Sequence, residues 1–281
     1  MDVQLVSDLH LEAPKAYDVF EIVPKSPILA LAGDIGNVEA HKDDFAAFID
    51  RLLRQFRVVL FVAGNHEAYH STWPRTLDVL QKLEADVHKR RVDDDTLGEF
   101  VFLDRRAYRL ADSSPGTSSG TVILGCSLFS HIPPARAMTV SMGMNDFYHI
   151  GDGWDVALHN AAHTRDLVWL NETVAALEGD EGVHTILVLT HWCPTLDARA
   201  RDPKHTSDAL TSAFATDLTA EPCFLSAKVK TWGFGHTHYN CDFEMERAGQ
   251  RGPLRLVTNQ RGYYFAQAAG FDDGKVLQIN N

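Results

Sequence analysis

The chain alternates short apolar runs with longer stretches of helical periodicity. Seven runs are rich in β-branched and other large apolar residues and have the length of strands: 3–8, 27–34, 58–65, 121–126, 184–191, 230–236 and 254–259. Nearly continuous apolar runs are expected of strands that are buried on both faces of a sheet. Helical periodicity covers 41–56, 73–90 and 154–178 and is weaker over 207–219. This alternation predicts an α/β protein.

The predicted elements are not divided by a linker or by an internal repeat. Segments 91–98 and 112–120 have the composition of surface loops. A chain of 281 residues with 45% hydrophobic residues is long enough for one large core or two modest ones. We therefore expect a single domain over residues 1–281.

Composition limits the partners and the location. Acidic residues outnumber basic ones by 38 to 26, which gives a net charge of −12. Because no basic run is long enough to neutralise several phosphates, we do not expect a nucleic-acid polymer as a partner, whereas a small phosphorylated ligand stays open. The N-terminus resembles a strand rather than a signal peptide, and no run reaches the about 18 apolar residues of a membrane span. The four cysteines form no CxxC pair, so we expect a cytoplasmic location without a membrane partner; the oligomeric state is open.

Five of the apolar runs end in side chains that bind metals or transfer protons. The segments are SDLH, GDIGN, GNHE, THWCP and GHTH, and each follows the carboxyl end of a predicted strand. In open α/β sheets ligands bind beyond the carboxyl ends of the strands, where the loops diverge. Glycine directly precedes a polar residue at Gly33, Gly64 and Gly235, which allows the backbone to turn sharply and to approach an ion closely. The five loops are therefore predicted to converge on one site.

These loops contain a set of candidate metal ligands. The candidates are Asp8, His10, Asp34, Asn65, His191, His236 and His238. Residues two apart in an extended segment point to one side, so Asp8 with His10 and His236 with His238 can each face a shared site. Imidazole, carboxylate and amide donors together suit manganese, iron or zinc, and seven donors are too many for one ion. This predicts two divalent metal ions; the alternative is seven unrelated polar residues at strand ends.

In chain order, the five segments resemble the motif series D-x-H, G-D-x-x-(D/N), G-N-H-(D/E), H and G-H-x-H of the calcineurin-like metallophosphoesterases. The resemblance spans residues 8–238. It implies a four-layer α-β-β-α sandwich of two mixed β-sheets flanked by helices, with a dinuclear metal centre at one edge. It further implies that Asp8, His10 and His238 hold one ion, that Asn65, His191 and His236 hold the other, and that Asp34 bridges them.

The activity implied by the resemblance is hydrolysis of a phosphodiester or phosphomonoester of a small molecule or nucleotide. Two divalent ions about 3.5–4 Å apart bind a phosphate oxygen and lower the pKa of a bridging water, which then attacks phosphorus as hydroxide. In the family, the histidine after the metal-binding asparagine, here His66, looks like the group that protonates the leaving alkoxide. A general acid of this kind contributes about 10²–10⁴-fold in rate. The alternative for His66 is a histidine that only orients a metal ligand.

The sequence departs from the serine/threonine phosphatase branch of this family at two positions. Three residues after Asp34 that branch has an aspartate that pairs with the histidine, and here the residue is Asn37. An amide can orient an imidazole but cannot stabilise its cation as a carboxylate does. Ala63 stands before GNHE, where that branch usually has arginine. Both departures argue against a protein phosphatase, and Asn37 becomes a candidate substrate contact.

Two further segments are candidates for substrate recognition. Residues 126–150 show little helical or strand periodicity and carry polar residues such as His131, so we expect a lid-like insertion with His131 as a candidate substrate contact. The segment NQRGYYF, 259–265, resembles an N-x-R-G-Y segment of a poorly characterised subgroup of these enzymes, and its Arg261 has the geometry to grip a phosphate bidentately. The alternatives are a surface ion pair for Arg261 and a solvated loop residue for His131.

Two other classes of function stay open on the sequence. One is a binding or scaffold protein that keeps the fold but has lost catalysis, although such proteins usually lose ligands or the acid and none is missing here. The other is a hydrolase of a different phosphorus bond, such as a phosphoramidate or a pyrophosphate.

Overall fold

The structure is a computed structural model that describes residues 2–111, 118–204, 209–247, 249 and 251–279. The strands are β1 (Asp2–Val6), β2 (Ile28–Ala32), β3 (Val58–Val62), β4 (Glu99–Phe102), β5 (Arg106–Ala111), β6 (Ser118–Gly125), β7 (Thr185–Leu189), β8 (Val229–Phe234), β9 (Asp242–Met245), β10 (Leu254–Thr258), β11 (Gly262–Tyr263), β12 (Ala266–Gln267) and β13 (Val276–Gln278). The α-helices are α1 (Lys42–Leu53), α2 (Trp73–Asp93), α3 (Ala137–Gly143), α4 (Asp146–His149), α5 (Val156–Glu178), α6 (Thr211–Phe214) and α7 (Pro222–Leu225). Short 3-10 helices span His66–Ala68, Pro134–Arg136 and Ala198–Ala200.

The strands form two mixed sheets and a small hairpin. The first sheet has the order β13-β1-β2-β3-β4, in which β1 to β4 run parallel and β13 pairs antiparallel with β1. The second has the order β5-β6-β7-β8-β10-β9, with a parallel centre and antiparallel pairs at both edges. The strands β11 and β12 pair only with each other in a hairpin.

The two sheets pack face to face between two layers of helices. Inner side chains such as Leu5 of β1 and Leu187 of β7 share one buried apolar cluster between the sheets. The outer face of the first sheet packs on α1 through residues such as Phe45, and the outer face of the second packs on α5 through residues such as Leu170. Three apolar layers separate four layers of secondary structure. The predicted α-β-β-α sandwich is confirmed. That residues 1–281 form a single domain stays a prediction.

The two long helices behind the sheets begin at side chains that cap them. Thr72 accepts a hydrogen bond from the backbone N–H of Arg75 at the start of α2, and Asp155 accepts one from Leu158 at the start of α5. These N–H groups have no partner within the helix, so each cap stabilises a helix end by about 1 kcal/mol. The longest predicted helical stretches therefore begin close to where the sequence placed them.

All seven predicted strand runs contain a strand, and the three stronger helical stretches are α1, α2 and α5. The sequence missed β4, β5, β9 and β13, which lie at the edges of the sheets, and the short hairpin β11–β12. Edge strands need only one apolar face, and β9 alternates exposed and half-buried residues without any buried one. The apolar run of such a strand is consequently weak, as in β9, whereas residues 100–102 of β4 form a buried apolar run that was missed.

Four other predictions need correction or fall partly outside the described residues. The helix predicted over 207–219 is wrong, because only α6 forms there, and 205–208 lie outside the described residues. Segment 91–98 is a loop only after Asp93, where α2 ends. Of segment 112–120, residues 118–120 belong to β6 and 112–117 lie outside the described residues. Segment 126–150 contains two short helices, α3 and α4, despite its weak periodicity.

The search for membrane spans gave a negative result for the part of the chain that the structure describes. No helix there combines the length and the apolar character needed to cross a bilayer.

Candidate metal centre

The carboxyl ends of strands from both sheets meet at one edge of the sandwich. The backbone N–H of Asp8, after β1, donates to Gly33 O at 3.0 Å, and that of His10 donates to Asp34 O at 3.0 Å, so the loops after β1 and β2 are joined. Between the sheets, the backbone N–H of His236 donates to Asp8 Oδ1 at 3.0 Å. The predicted convergence of these loops is present in the structure.

The seven predicted ligands lie together in this edge, and we call them the metal cradle: Asp8, His10, Asp34, Asn65, His191, His236 and His238. One cluster contains Asp8, His10 and His238, another contains Asp34, His191 and His236, and in each the donor atoms lie within 4.8 Å of one another. Asn65 Oδ1 lies 3.2 Å from His191 Nε2 in the second cluster. The structure thus places His236 and His238, the two histidines of GHTH, in different clusters. Ion binding by them stays a prediction.

The imidazole of His236 has a buried nitrogen, Nε2, without a hydrogen-bond partner among the described residues. The side chain lies in the interior of the protein. Such an unsatisfied atom costs about 1–3 kcal/mol. Burial, together with the neighbouring His191, holds the pKa of His236 well below its usual value. The ring is therefore neutral, which is the form whose nitrogen lone pair binds a metal.

His191 is oriented by the backbone of the first sheet. Its Nδ1 lies 2.8 Å from Ala32 O and donates there, which leaves Nε2 facing Asp34 Oδ2 at 3.3 Å. Burial opposes the His191 cation, but Asp34 outweighs burial and raises the pKa of His191 to about 10. A divalent ion at Nε2 would replace that proton, because metal ligands must be deprotonated.

Asn65 is held by a carboxylate that sequence reasoning placed in a lid. The Asn65 Nδ2 group donates to Asp146 Oδ1 at 2.8 Å and to the Tyr69 hydroxyl at 3.1 Å, so its Oδ1 faces the cradle. The Tyr69 hydroxyl also donates to Asp146 Oδ1 at 2.6 Å. Asp146 is buried and orients a candidate metal ligand from 81 residues away. The contact with Asn65 is what identifies Asp146 as a residue that orients a candidate ligand, because no local sequence pattern indicates this role.

The two cradle aspartates are ionised. Burial raises the pKa of Asp34, but His191 and His66 outweigh burial and hold that pKa well below its usual range. For Asp8, the histidines of the cradle likewise outweigh burial and lower the pKa. Ionised carboxylates beside imidazoles are the donors expected of a site for first-row divalent ions.

Five cradle residues have left-handed backbone conformations, which are uncommon outside glycine. The φ angles are 53° for Asp8, 48° for His10, 53° for Asp34, 68° for His236 and 49° for His238. A non-glycine residue held in this region costs about 1–3 kcal/mol, and such residues cluster at functional sites. The loops of both sheets hold this backbone in place.

Gly64 is required by the closeness of the loops. An added Cβ would lie 2.3 Å from Asp34 Oδ1 and 2.7 Å from the ring of His191. Any larger residue would displace a cradle side chain, as predicted from its place before Asn65.

Glu67, the last residue of GNHE, joins two cradle loops. Its Oε2 accepts hydrogen bonds from the backbone N–H groups of Asp34 at 2.9 Å and of Gly64 at 2.6 Å, and its Oε1 accepts one from Ile35 at 2.8 Å. Burial and the nearby Asp34 raise the pKa of Glu67 to about 7. Its place in the GNHE motif did not by itself predict this role.

His66 lies beside the cradle and contacts two carboxylates. Its Nδ1 is 2.8 Å from Glu12 Oε1, and its Nε2 is 4.0 Å from Asp34 Oδ2 and 3.3 Å from the Tyr263 hydroxyl. Burial disfavours the His66 cation, but Asp34 and Glu12 outweigh burial and raise the pKa of His66 to about 9. The ring is therefore protonated at neutral pH, with Nδ1–H donated to Glu12 and Nε2–H directed toward the cradle.

Glu12 was missed by the sequence analysis, although it stands two residues after His10 in DLHLE. Its Oε1 lies 3.3 Å from His10 Nδ1 as well as close to His66, so one oxygen contacts a candidate ligand and the candidate acid. Burial opposes its charge, but the hydrogen bonds from His10 and His66 lower the pKa of Glu12 to about 2. The histidine cation thus has a carboxylate partner, supplied from the loop after β1.

The position of Asn37 corrects the role considered for it. Its Nδ2 donates to the backbone O of His66 at 2.8 Å, so it orients the GNHE turn and not the imidazole. Asn37 is buried and does not line the cavity at the cradle. It is not placed to contact a substrate.

The side chains of Arg261 and His131 are not part of the metal cradle. The Arg261 guanidinium donates to Leu9 O at 3.0 Å and packs over the Phe20 ring at 4.7 Å, which is neither a phosphate contact nor a surface ion pair. His131 is exposed, and its backbone N–H donates to Thr216 Oγ1 at 2.7 Å. Neither side chain lines the cavity, so the structure does not bring them to the site.

The segment around Arg261 nonetheless supports the cradle. Gly262 N donates to Asp8 O at 3.0 Å, and the Gln260 side chain accepts from the backbone N–H of His238 at 2.5 Å. The next residue, Tyr263, places its ring 4.3 Å from that of His10 and 4.7 Å from that of His238. The contribution of this segment is therefore to hold two loops and to cover one side of the site.

A sequence profile of the family described as calcineurin-like phosphoesterase matches residues 1–240. The chain belongs to the calcineurin-like phosphoesterase family. A search of curated proteins found no match to the sequence.

Two solved structures are similar to this phosphoesterase. The phosphopantetheinyl hydrolase of Mycobacterium tuberculosis has a TM-score of 0.59 and 17% identity, over 93% of this chain and 89% of that one. A dimetal phosphatase from Danio rerio has a TM-score of 0.44 and 15% identity, over 92% of this chain and 86% of that one. At such identities the first likeness shows a shared fold and nothing about substrate.

The cradle of this phosphoesterase opens into a cavity of about 590 Å³. Small-molecule sites typically have volumes of about 300–1,000 Å³. Asp34, Asn65, His66, His236 and His238 lie in its lining, so donors of both clusters and the candidate acid face the same space. Residues 143–145 also border it, whereas movement of segment 126–150 as a lid stays a prediction.

Proposed function

We propose that this phosphoesterase is a hydrolase of small phosphoesters that depends on two divalent metal ions held in the metal cradle. The observation that carries the proposal is the pair of His/Asp clusters, one of which contains the buried, unpartnered Nε2 of His236. A bound ion would satisfy that nitrogen. The left-handed backbone at five cradle residues is a further feature typical of a functional site.

The donors fit the proposed ions. Asp8, His10 and His238 would hold one ion, Asn65, His191 and His236 would hold the other, and Asp34 would bridge them. Imidazole, carboxylate and amide donors suit manganese, iron or zinc. When bound, two such ions neutralise charge on a phosphate and lower the pKa of water at the site.

His66 is proposed as the general acid. Glu12 fixes its Nδ1–H at 2.8 Å, so the proton on Nε2 is the one that faces the cavity. A leaving alkoxide bound there would accept that proton, and the Glu12 carboxylate favours the protonated ring before the transfer. The nearby Tyr263 hydroxyl, 3.3 Å from Nε2, is placed to orient the same oxygen.

The decisive test combines metal content with hydrolysis. Purified protein is loaded separately with Mn²⁺, Fe²⁺ and Zn²⁺, its bound metal is measured, and hydrolysis is followed with nitrophenyl phosphate and bis(nitrophenyl) phosphate. We expect two ions per chain and hydrolysis of at least one ester. Asp34→Asn keeps the shape of the side chain but removes its charge, so metal content and hydrolysis should both fall.

The matched control is Asp78→Asn, an exposed residue of α2 that pairs with Lys82. This variant should keep the metal content and the rate of the unsubstituted protein. Full hydrolysis by Asp34→Asn, or metal-free protein that is as active as loaded protein, would contradict the proposal. The ratio of the two esters reports whether monoesters or diesters are preferred.

A further inference from the structure

Beyond the cradle, the lining of the cavity contains a group of apolar side chains. On the side of His10 and His238, the Tyr263 ring packs against both imidazoles and covers them. On the side of His236, the lining includes the apolar residues Met144, Leu196, Leu210 and Phe214, which we call the trough wall, beside polar and charged residues of segment 195–204. A substrate whose phosphate lies at the cradle would therefore extend its remaining part along the trough wall.

The trough wall is apolar next to the metal ligands. The Phe214 ring lies 5.0 Å from the ring of His236, so an apolar surface begins directly at a cradle residue. Leu196 follows the THWCP loop and is 51% exposed at the edge of the cavity. An exposed leucine at the mouth of a cavity is a surface that an apolar ligand would cover.

The trough wall is held in place by its own small core. Met144, Leu210 and Phe214 belong to a cluster with Ile132 and Val140, which is separate from the three large apolar layers. The indole Nε1 of Trp192, next to His191, donates to Ala213 O at 3.0 Å and fixes α6 beside the cradle. Three of the four wall residues are thus held by packing of their own beside the cradle.

We infer that the substrate is a phosphoester whose alcohol part is an extended, mostly apolar organic group that lies along the trough wall. The inference rests on the proposed function, which it deepens by naming a class of substrate. A compact polar ester such as glycerol phosphate would leave Leu196 and Phe214 uncovered and would gain nothing from the wall. The apolar group contributes binding energy that a phosphate alone does not have.

The test uses a series of n-alkyl phosphates from ethyl to hexyl, with glycerol phosphate as the compact polar reference. Each methylene that becomes buried should raise kcat/KM about three- to fourfold until the trough is filled. Leu196→Ser replaces an apolar part of the wall with a hydroxyl and should reduce this dependence on chain length. Leu158→Ser, at an exposed leucine of α5 outside the cavity, is the matched control and should keep the full dependence.

A binding series separates this inference from the proposed hydrolysis. The affinities of metal-loaded protein for n-alkylphosphonates, which cannot be hydrolysed at the P–C bond by this chemistry, are measured over the same chain lengths. Affinity that rises with chain length in the unsubstituted protein and rises less in Leu196→Ser supports the inference. Equal affinities for all lengths, or a preference for glycerol phosphate, would overturn it while leaving phosphoester hydrolysis intact.

If no phosphoester is hydrolysed, the proposed function fails, and the phosphonate series still decides whether the trough takes an apolar group. Thermal unfolding of Leu196→Ser checks that the variant is folded, which is expected because the residue is half exposed.

Discussion

His66 beside the metal cradle and His159 behind the trough wall are both buried and both contact aromatic rings. They differ in charge, because His66 favours the protonated ring and His159 favours the neutral one. His66 lies against two carboxylates, Glu12 and Asp34, which raise its pKa to about 9. His159 has only the hydroxyl of Ser130 on its Nε2, at 3.1 Å, and burial lowers its pKa to about 3. Burial alone therefore favours a neutral histidine, and a nearby carboxylate reverses the preference.

The two regions differ in what fills the space around the histidine. Around His159 lie the rings of Phe129, Phe147 and Trp192, and the nearest titratable groups are His163 and His131. Around His66, in contrast, carboxylates lie among the aromatic rings, with Glu12 Oε1 at 2.8 Å and Asp34 Oδ2 at 4.0 Å. The environment of His159 favours a neutral ring that packs in the core. The environment of His66 favours a charged ring that can transfer a proton.

The largest expected effect is on the acid. His66→Gln should lower kcat for an alkyl phosphate by about 10²–10⁴-fold, because no proton would be available for a poor leaving group. For nitrophenyl phosphate, whose leaving group needs no proton, the loss should be much smaller. Equal losses for both esters, or a loss of bound metal in proportion to activity, would show that His66 only orients a ligand.

Glu12→Gln tests whether the carboxylate makes the difference between the two regions. The amide keeps the size of the side chain but removes the charge, so the His66 cation loses its stabilisation and activity should fall by about 10–100-fold. The loss should again be larger for the alkyl ester, and the pH profile of kcat should change along with it. Glu21→Gln, at an exposed position, is the control and should behave like the unsubstituted protein. A uniform loss at every pH and for every ester would contradict a positioning role.

Substitutions at two glycines test how tightly the metal cradle and the trough wall are packed. In Gly64→Ala the new Cβ would meet Asp34 Oδ1 and the ring of His191, so we expect a loss of about 1–3 kcal/mol in the free energy of unfolding. In Gly143→Ala the new Cβ would meet a methyl group of Leu210 at 2.8 Å, which can turn away, so the loss should be smaller. Denaturant unfolding measures both, and equal losses would show that the trough wall is as rigid as the cradle.

The last prediction concerns the pH dependence of stability behind the wall. The folded pKa of His159, about 3, lies below the unfolded value of 6.5, so the unfolded chain takes up the proton first as pH falls. The stabilisation is complete above pH 6.5 and should be reduced by about 2 kcal/mol at pH 5. His159→Gln should remove this part of the dependence, while His88→Gln on the exposed face of α2 should not. Identical pH profiles for all three proteins would contradict a neutral buried His159.

Much of the fold and the candidate ligands could be predicted from the sequence because both have local causes. A strand buried on two faces must be apolar over consecutive residues, so β1, β2, β3 and β7 are visible as runs. A site at the carboxyl ends of such strands must use the residues that directly follow them. The same logic fails for β9 and β13, since an edge strand needs no such run.

Tertiary structure decided which partners these residues have. Glu12 meets His66 from 54 residues away, Asp146 meets Asn65 from 81, and the Tyr263 hydroxyl meets His66 from 197. A buried polar group needs a partner, but any loop that packs nearby can supply one, so no local pattern identifies it. For the same reason Asn37 and Arg261, which stand in suggestive motifs, turned inward to bind backbone carbonyls. The sequence determined the strands and the donors at their ends, and only the packing of distant loops decided which carboxylate contacts His66 and which side chains line the cavity.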